Sequence, residues 1–201
     1  MIAILDYGSG NLRSAERAFA RAHSDVRVTS DIDLARTADG LVVPGVGAFG
    51  ACISQFEEAG AMGLIEDRIA HQLPTIGICV GMQIFFSQGR EKDAESGLSL
   101  WSGEVTELAA PVLPHIGWNT VEASADSKLF SGIENERFYF VHSFAAKVAP
   151  TGTIAAYTNY GETFVAALES PYLVATQFHP EKSGDAGLAL ISNWVQNWIA
   201  A

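Results

Sequence analysis

The stretch Pro74–Gln83 carries a cysteine whose setting could make its thiol a nucleophile. The stretch begins as a short apolar run rich in β-branched residues, which predicts a buried strand, and it ends with the polarity of a helix start. Between the two, Gly77-Ile78-Cys79-Val80-Gly81 has the form of a nucleophile elbow, a sharp turn that lifts one side chain above a sheet. A helix N-terminus after Cys79 would favour the thiolate. The alternative is an inert core cysteine, because free cysteine is among the most buried residue types.

Two backbone segments could stabilise the oxyanion that such a nucleophile creates. The N–H of Val80, the residue after the cysteine, is placed for this role. An elbow also needs a donor from a neighbouring loop, and Pro44–Gly50 is dense in glycine at the end of a strand predicted over 40–44. The alternative for that segment is an ordinary turn between a strand and a helix.

A thiol nucleophile needs a base, and the base needs a carboxylate to orient it. His179 and Glu181 follow an apolar strand and are separated by Pro180, so they are the natural candidates. A histidine beside a proline can also be a plain turn residue. Four other histidines compete for the role: His23, His71, His115 and His142. His23 and His71 fall on or near predicted helix ends and look incidental.

The pattern around these motifs predicts an α/β fold with a central, mostly parallel mixed sheet, flanking helices and additional antiparallel strands. Strands and helices alternate up to about residue 88, a polar loop follows at 89–103, and short strands then succeed one another before a helix at 185–200. No repeat or linker divides the chain, so we expect a single domain over residues 1–201.

Composition excludes several functions. The 201 residues are 48% hydrophobic and 17% charged, and the formal net charge is −11 without any basic cluster. Nucleic acid and anionic membranes are therefore not expected partners. No apolar run reaches the roughly 18 residues of a membrane span, and no secretory signal is visible at the N-terminus. We expect two reduced thiols, no metal site and a cytoplasmic location.

Together, the motifs resemble the class I glutamine amidotransferases. Gly77–Gln83 and Phe178–Glu181 resemble the Cys-His-Glu glutaminases of that class. Three further stretches resemble the glutaminase subunits of imidazole glycerol phosphate synthase: Tyr7–Ser14, Pro44–Gly47 and Pro114–Asn119. The resemblance covers essentially the whole chain, and Val80 departs from a common leucine only in its side chain. It implies the three-layer fold of that class.

The resemblance also implies roles for particular residues. Cys79, His179 and Glu181 would be catalytic, without a cofactor. Glutamine and the oxyanion would be bound by Gly45, Val46, Gly47, Val80, Gln83, His142, Ser143 and Phe144. The partner would contact Asn11, Trp118 and Lys182, although Trp118 could instead fill the core.

The implied partner is the (β/α)₈-barrel cyclase subunit, in a heterodimer that channels ammonia from glutamine into imidazole glycerol phosphate and aminoimidazole carboxamide ribonucleotide during histidine biosynthesis. Because such glutaminases are poorly active until the cyclase binds its ligand, we expect Pro44–Gly47 to switch between two conformations. Three alternatives stay open: the glutaminase subunit of pyridoxal phosphate synthase, a cysteine hydrolase or peptidase on a related fold, and a non-catalytic binding subunit.

Overall fold

A computed structural model describes residues 1–91 and 95–200. Its first half alternates strands and helices as predicted. A short helix at Ile32–Thr37 was not expected, because its six residues carry too brief an apolar pattern. The elements of this half are β1 (Ile2–Leu5), α1 (Leu12–Ala22), β2 (Val26–Thr29), α2 (Ile32–Thr37), β3 (Gly40–Gly45), α3 (Phe49–Glu58), α4 (Leu64–Ala70), β4 (Thr75–Cys79) and α5 (Val80–Gln83).

The second half consists mainly of strands and ends in a helix. Its strands are β5 (Phe86–Gly89), β6 (Glu95–Ser96), β7 (Trp101–Glu107), β8 (His115–Thr120), β9 (Glu122–Ala123), β10 (Arg137–His142), β11 (Phe144–Ala146), β12 (Ile154–Tyr160), β13 (Glu162–Glu169) and β14 (Leu173–Thr176). A 3₁₀ turn at Pro180–Lys182 precedes α6 (Gly184–Trp194), and a π-helical turn at Val195–Ile199 extends it.

The central sheet has eight strands in the order β2-β1-β3-β4-β14-β13-β12-β9. Its first five strands are parallel to one another and the last three are antiparallel additions. The strands β1, β3 and β4 are buried along their whole length, as expected for parallel strands covered on both faces. The predicted α/β class and mixed, mostly parallel sheet are confirmed.

Two expectations about the segment between Cys79 and residue 103 were wrong. The helix after Cys79 ends at Gln83 rather than near residue 88, because Phe86–Gly89 forms a strand that pairs with β7. The supposed loop at 89–103 contains β6 and the start of β7, while residues 92–94 of it lie outside the described part of the chain. Several strands also leave the central sheet: β8 with β10 forms a two-stranded ladder, and β5, β6, β7 and β11 form a four-stranded sheet.

The parallel strands bring the predicted site residues to one edge of the sheet. Cys79 ends β4 opposite Gly45 of β3, and β14 lies on the other side of β4, with Thr176 opposite Ile78. The chain runs from Thr176 directly to His179. In open parallel sheets, ligands bind at the carboxyl ends of the strands, so this edge is the expected site.

The elbow depends on a close approach between the end of β3 and the start of α5. A Cβ at Gly81 would lie 2.0 Å from the Val43 oxygen, and a Cβ at Gly45 would lie 2.3 Å from the Gly81 nitrogen. Both neighbours are backbone atoms, which cannot move aside like a flexible side chain. Positions 45 and 81 therefore require glycine, because any Cβ there would clash with backbone atoms.

We predict that Gly81→Ala destabilises the fold by about 2–3 kcal/mol, because β3 and α5 must separate to admit a methyl group. Gly60→Ala is the matched control, since Gly60 has φ of +70° and a methyl group added there would meet no atom within 4 Å. It should lose only about 1 kcal/mol for its left-handed backbone. Urea unfolding of both variants measures the difference, and equal losses would contradict the steric argument.

Candidate active site

Cys79 sits in a backbone conformation that few residues adopt. Its φ of +57° and ψ of −113° lie outside the allowed regions for a side-chain-bearing residue. Such strain persists only when the surroundings enforce it, and it concentrates at functional sites. The strand-to-helix turn predicted around Cys79 is present, with β4 ending at Cys79 and α5 beginning at Val80.

His179 lies between Cys79 and Glu181. Its Nδ1 is 2.7 Å from Oε1 of Glu181, and both side chains are only 3% exposed. Burial opposes a charge on His179, but hydrogen bonds to Cys79 and Glu181 and the negative charge of both raise the pKa of His179 to about 10. At neutral pH the arrangement therefore favours an imidazolium next to the sulfur.

The turn that carries His179 is hydrogen-bonded to the β8–β10 ladder. The His179 N–H donates to the Tyr139 oxygen at 2.9 Å. The buried Ser183 hydroxyl donates to the His179 oxygen at 2.6 Å and accepts from the Tyr139 N–H at 3.0 Å. Two hydrogen bonds thus fix the 179–183 turn to β10, and the third closes the turn on itself.

A cavity of about 420 Å³ opens above Cys79 and His179. It brings together most of the residues predicted to bind substrate. Gly45 is buried and is not on the wall, and Glu181 contacts His179 without lining the cavity. The predicted residues on its wall are Val46, Gly47, Val80, Gln83, His142, Ser143, Phe144 and Lys182. Val80 begins α5, so its N–H is one of the helix amides without an intrahelical partner.

The predicted partner-contacting residues belong to three different segments of the chain. Lys182 lines the cavity, Asn11 is exposed and accepts a 3.4 Å hydrogen bond from the Ser14 N–H at the start of α1, and Trp118 is on the ladder. Trp118 is 46% exposed, beside Ile116 at 60%. Trp118 therefore does not fill the core, and the ladder presents an apolar surface to solvent.

The backbone N–H and carbonyl of Val46 are engaged by side chains that do not line the cavity. The N–H donates to the Ser9 hydroxyl oxygen at 3.0 Å, and the carbonyl accepts from the Cys52 thiol at 3.3 Å. Burial raises the pKa of Cys52, so this thiol stays protonated and can donate. Gly47 follows with φ of +91°. In this conformation the Val46 N–H is not available to an oxyanion.

Three residues of the cavity wall were not predicted: Glu91, Pro114 and Val141. Glu91 is the important one, because its Oε2 accepts from the Phe49 N–H at 2.8 Å, which fixes a carboxylate on the wall. In the sequence it belongs to a polar stretch with no periodic pattern, so no signal placed it beside Cys79.

The described residues contain no cluster of three histidine, cysteine or acidic side chains that could hold a metal ion. Along the same residues, no helix is both long and apolar enough to cross a membrane. The titratable side chains on the cavity wall are a thiol, two imidazoles, a carboxylate and an ammonium group.

Comparison with known proteins identifies the family. The model of the family "Glutamine amidotransferase class-I" matches residues 3–198. Imidazole glycerol phosphate synthase subunit HisH of Nocardia farcinica is 54% identical, covering 98% of this chain and 97% of the relative. HisH of Streptomyces coelicolor is 52% identical, with 97% and 92% covered. The chain therefore belongs to the class I glutamine amidotransferases and, within that class, to the HisH family.

Solved structures agree on the fold. A putative GMP synthase protein from Thermoplasma acidophilum has a TM-score of 0.75 at 19% identity, covering 99% of this chain and 94% of that one. The glutaminase domain of Trypanosoma brucei CTPS, with bound acivicin, has a TM-score of 0.69 at 17% identity, covering 96% and 92%. The relatives do not favour the alternative of a pyridoxal phosphate synthase subunit.

A buried histidine near the site makes stability depend on pH. His115 stacks between Phe140 and Tyr160 with ring centroids 4.9 and 4.1 Å away, and its Nδ1 has no partner among the described residues. Burial lowers the pKa of His115 to about 4 from an ordinary 6.5. As the pH falls below 6.5, the unfolded chain therefore takes up a proton that the folded chain refuses, and stability decreases until about pH 4.

We predict that His115→Phe weakens this acid dependence, because it keeps an aromatic ring in the stack and removes the titrating nitrogen. The free energy of unfolding, measured by urea titration at pH 8, 6 and 5, should fall less steeply in the variant than in the original chain. Identical slopes for the two proteins would show that His115 is not the buried neutral group described above.

Proposed function

We propose that this chain hydrolyses glutamine to glutamate and ammonia, as the glutaminase subunit of imidazole glycerol phosphate synthase. The observation that carries the proposal is the buried Cys79–His179–Glu181 arrangement, set at the mouth of a substrate-sized cavity in a member of the HisH family. We take residues 1–201 to be one domain with this single activity.

The chemistry begins with the Cys79 thiolate attacking the carboxamide carbon of glutamine. The imidazolium of His179 gives its proton to the departing ammonia, which leaves a γ-glutamyl thioester. His179 then accepts a proton from water, which attacks the thioester and releases glutamate and the thiolate. Glu181 holds the imidazole through Nδ1 and stabilises its charge.

The cavity wall offers matching groups for glutamine. The Val80 N–H would donate to the oxyanion, and Gln83 with the 142–144 backbone would bind the rest of the amino acid. Glu91 adds a carboxylate suited to the α-ammonium group, because an opposite charge in a partly desolvated cavity binds an ammonium strongly. Gly45 would support this wall by packing against the backbone of Val80 and Gly81.

The ammonia is proposed to pass to a (β/α)₈-barrel cyclase subunit, which binds the face carrying Asn11, Trp118 and Lys182. The exposed Trp118 and Ile116 support this, since apolar side chains at an exposed ladder are typical of an interface. The products would be imidazole glycerol phosphate and aminoimidazole carboxamide ribonucleotide. A cytoplasmic location suits a nucleophilic thiol, which must stay reduced.

We predict that the chain alone releases glutamate slowly and that adding the cyclase subunit with its nucleotide ligand raises the rate by orders of magnitude. Cys79→Ala should abolish the activity in both cases, because no other group can form the thioester. A coupled glutamate assay measures this. Cys52→Ala is the thiol control for the stimulated rate only, which it should keep, because the Cys52 thiol also contacts the Val46 carbonyl. A fast rate that ignores the cyclase would keep the glutaminase and reject this partner.

The switch expected at Pro44–Gly47 can be tested through the groups that hold Val46. The Val46 N–H must leave Ser9 before it can reach the cavity, so the Ser9 hydroxyl favours the poorly active conformation. We predict that Ser9→Ala raises glutamate release without the cyclase about fivefold to tenfold, because the hydroxyl contacts both the N–H and the carbonyl of Val46. The stimulated rate should change little. An unchanged unstimulated rate would remove Val46 from the switch.

A further inference from the structure

The side chain of Gln177 lies under the cavity floor, between the nucleophile and Gln83. Gln177 follows β14, is 1% exposed, and has its backbone N–H fixed by a 2.8 Å hydrogen bond to the Ala166 oxygen. Its side chain contacts Gln83 at 3.0 Å, and its Nε2 lies 3.9 Å from the sulfur of Cys79, within reach of a long N–H···S hydrogen bond.

The direction of these hydrogen bonds is fixed by one backbone carbonyl. The Phe144 oxygen can only accept, so the atom of Gln83 that contacts it at 2.8 Å must be the amide nitrogen. The same nitrogen contacts Gln177, which must therefore offer its oxygen there. The amide nitrogen of Gln177 is then the end that faces Cys79.

This order has two chemical consequences. Both N–H groups of Gln83 are occupied, so its oxygen is the atom left for a ligand in the cavity that Gln83 lines. Gln83 can then accept a hydrogen bond from the substrate but cannot donate one. At the other end, an N–H pointing at the sulfur of Cys79 favours the thiolate, because a donor stabilises the charged form of its acceptor.

We propose that Gln177 is a positioning residue for the reaction, which fixes the acceptor side of Gln83 towards the substrate and holds a donor against the thiolate. The inference rests on the proposed glutaminase activity for its substrate half. The thiolate half depends only on the reactivity of Cys79 and can be tested without turnover.

Two variants separate the two roles. Gln177→Glu keeps an oxygen that accepts from Gln83, but it loses the donor and places a negative charge beside the sulfur. Gln177→Met has a similar volume and loses both contacts. Gln196→Glu makes the same chemical change at an exposed position on the C-terminal turn and serves as the matched control.

The first measurement is the rate at which iodoacetamide alkylates Cys79 at pH 7, followed on the Cys79 peptide by mass spectrometry so that Cys52 does not contribute. We expect the rate to fall about tenfold or more in Gln177→Glu and about threefold to tenfold in Gln177→Met, as expected for an opposing charge and a lost donor. The Gln196→Glu control should match the original chain.

The second measurement is KM for glutamine in the complex with the cyclase subunit. In this measurement Gln177→Met should be the more severe variant, whereas Gln177→Glu is the more severe in alkylation. Gln177→Met should raise KM several-fold, because it frees the Gln83 amide to rotate. Gln177→Glu keeps an acceptor for Gln83, so its KM should stay within about twofold of the original. A purely structural role predicts the same order in both measurements. The same order, or no change in either, would overturn the proposal.

Folding is checked by thermal unfolding of each variant. If the buried carboxylate of Gln177→Glu prevents folding, Gln177→Asn takes its place; its shorter amide reaches neither partner, so it should behave like Gln177→Met in both measurements. If Gln177→Asn had the same Cys79 alkylation rate and the same KM for glutamine as the original chain, the proposal would be overturned. If the original chain releases no glutamate with the cyclase, the proposed function fails, and the alkylation rates alone decide the role of Gln177.

Discussion

The close contact between β3 and the start of α5 is the constraint on which the site depends. Gly45 and Gly81 let two backbone segments touch, and Cys79 is held between them at a φ that its side chain disfavours. Without that contact the chain would relax, and the sulfur would no longer stand at the sheet edge facing His179. The strain at Cys79 is therefore balanced by packing that begins in the core of the sheet.

Charge is arranged around this fixed point so that a buried ion pair is tolerable. Glu181 and the sulfur flank His179 and keep it protonated despite burial, and the donor of Gln177 approaches the sulfur from below. Desolvated charges are stable only when each has a partner in good geometry. The proposed proton carrier, His179, is thus also the group on which this balance of charges is centred.

The sequence was sufficient for the parts of the site that rest on local pattern. The elbow at Cys79 and the His179–Glu181 turn each follow from a few adjacent residues, and the βα rhythm of the first half predicts the parallel strands that bring them together. Glu91 and Gln177 could not be found this way, because their places depend on contacts between distant segments. For the same reason the strand at Phe86–Gly89 was mistaken for helix: its pairing with β7 outweighs the local continuation of α5.

Two hydrogen bonds between the 179–183 turn and β10 couple His179 to the two-stranded β8–β10 ladder. A ladder of two strands has little stability of its own and relies on what it packs against. When it opens, the Tyr139 and Ser183 contacts break and His179 loses its anchor. Mild heat or denaturant should therefore inactivate the enzyme by local unfolding while the eight-stranded sheet is still intact. A partner that covers the exposed face of the ladder would suppress that opening, so assembly would protect the active site as well as supply it with an outlet for ammonia.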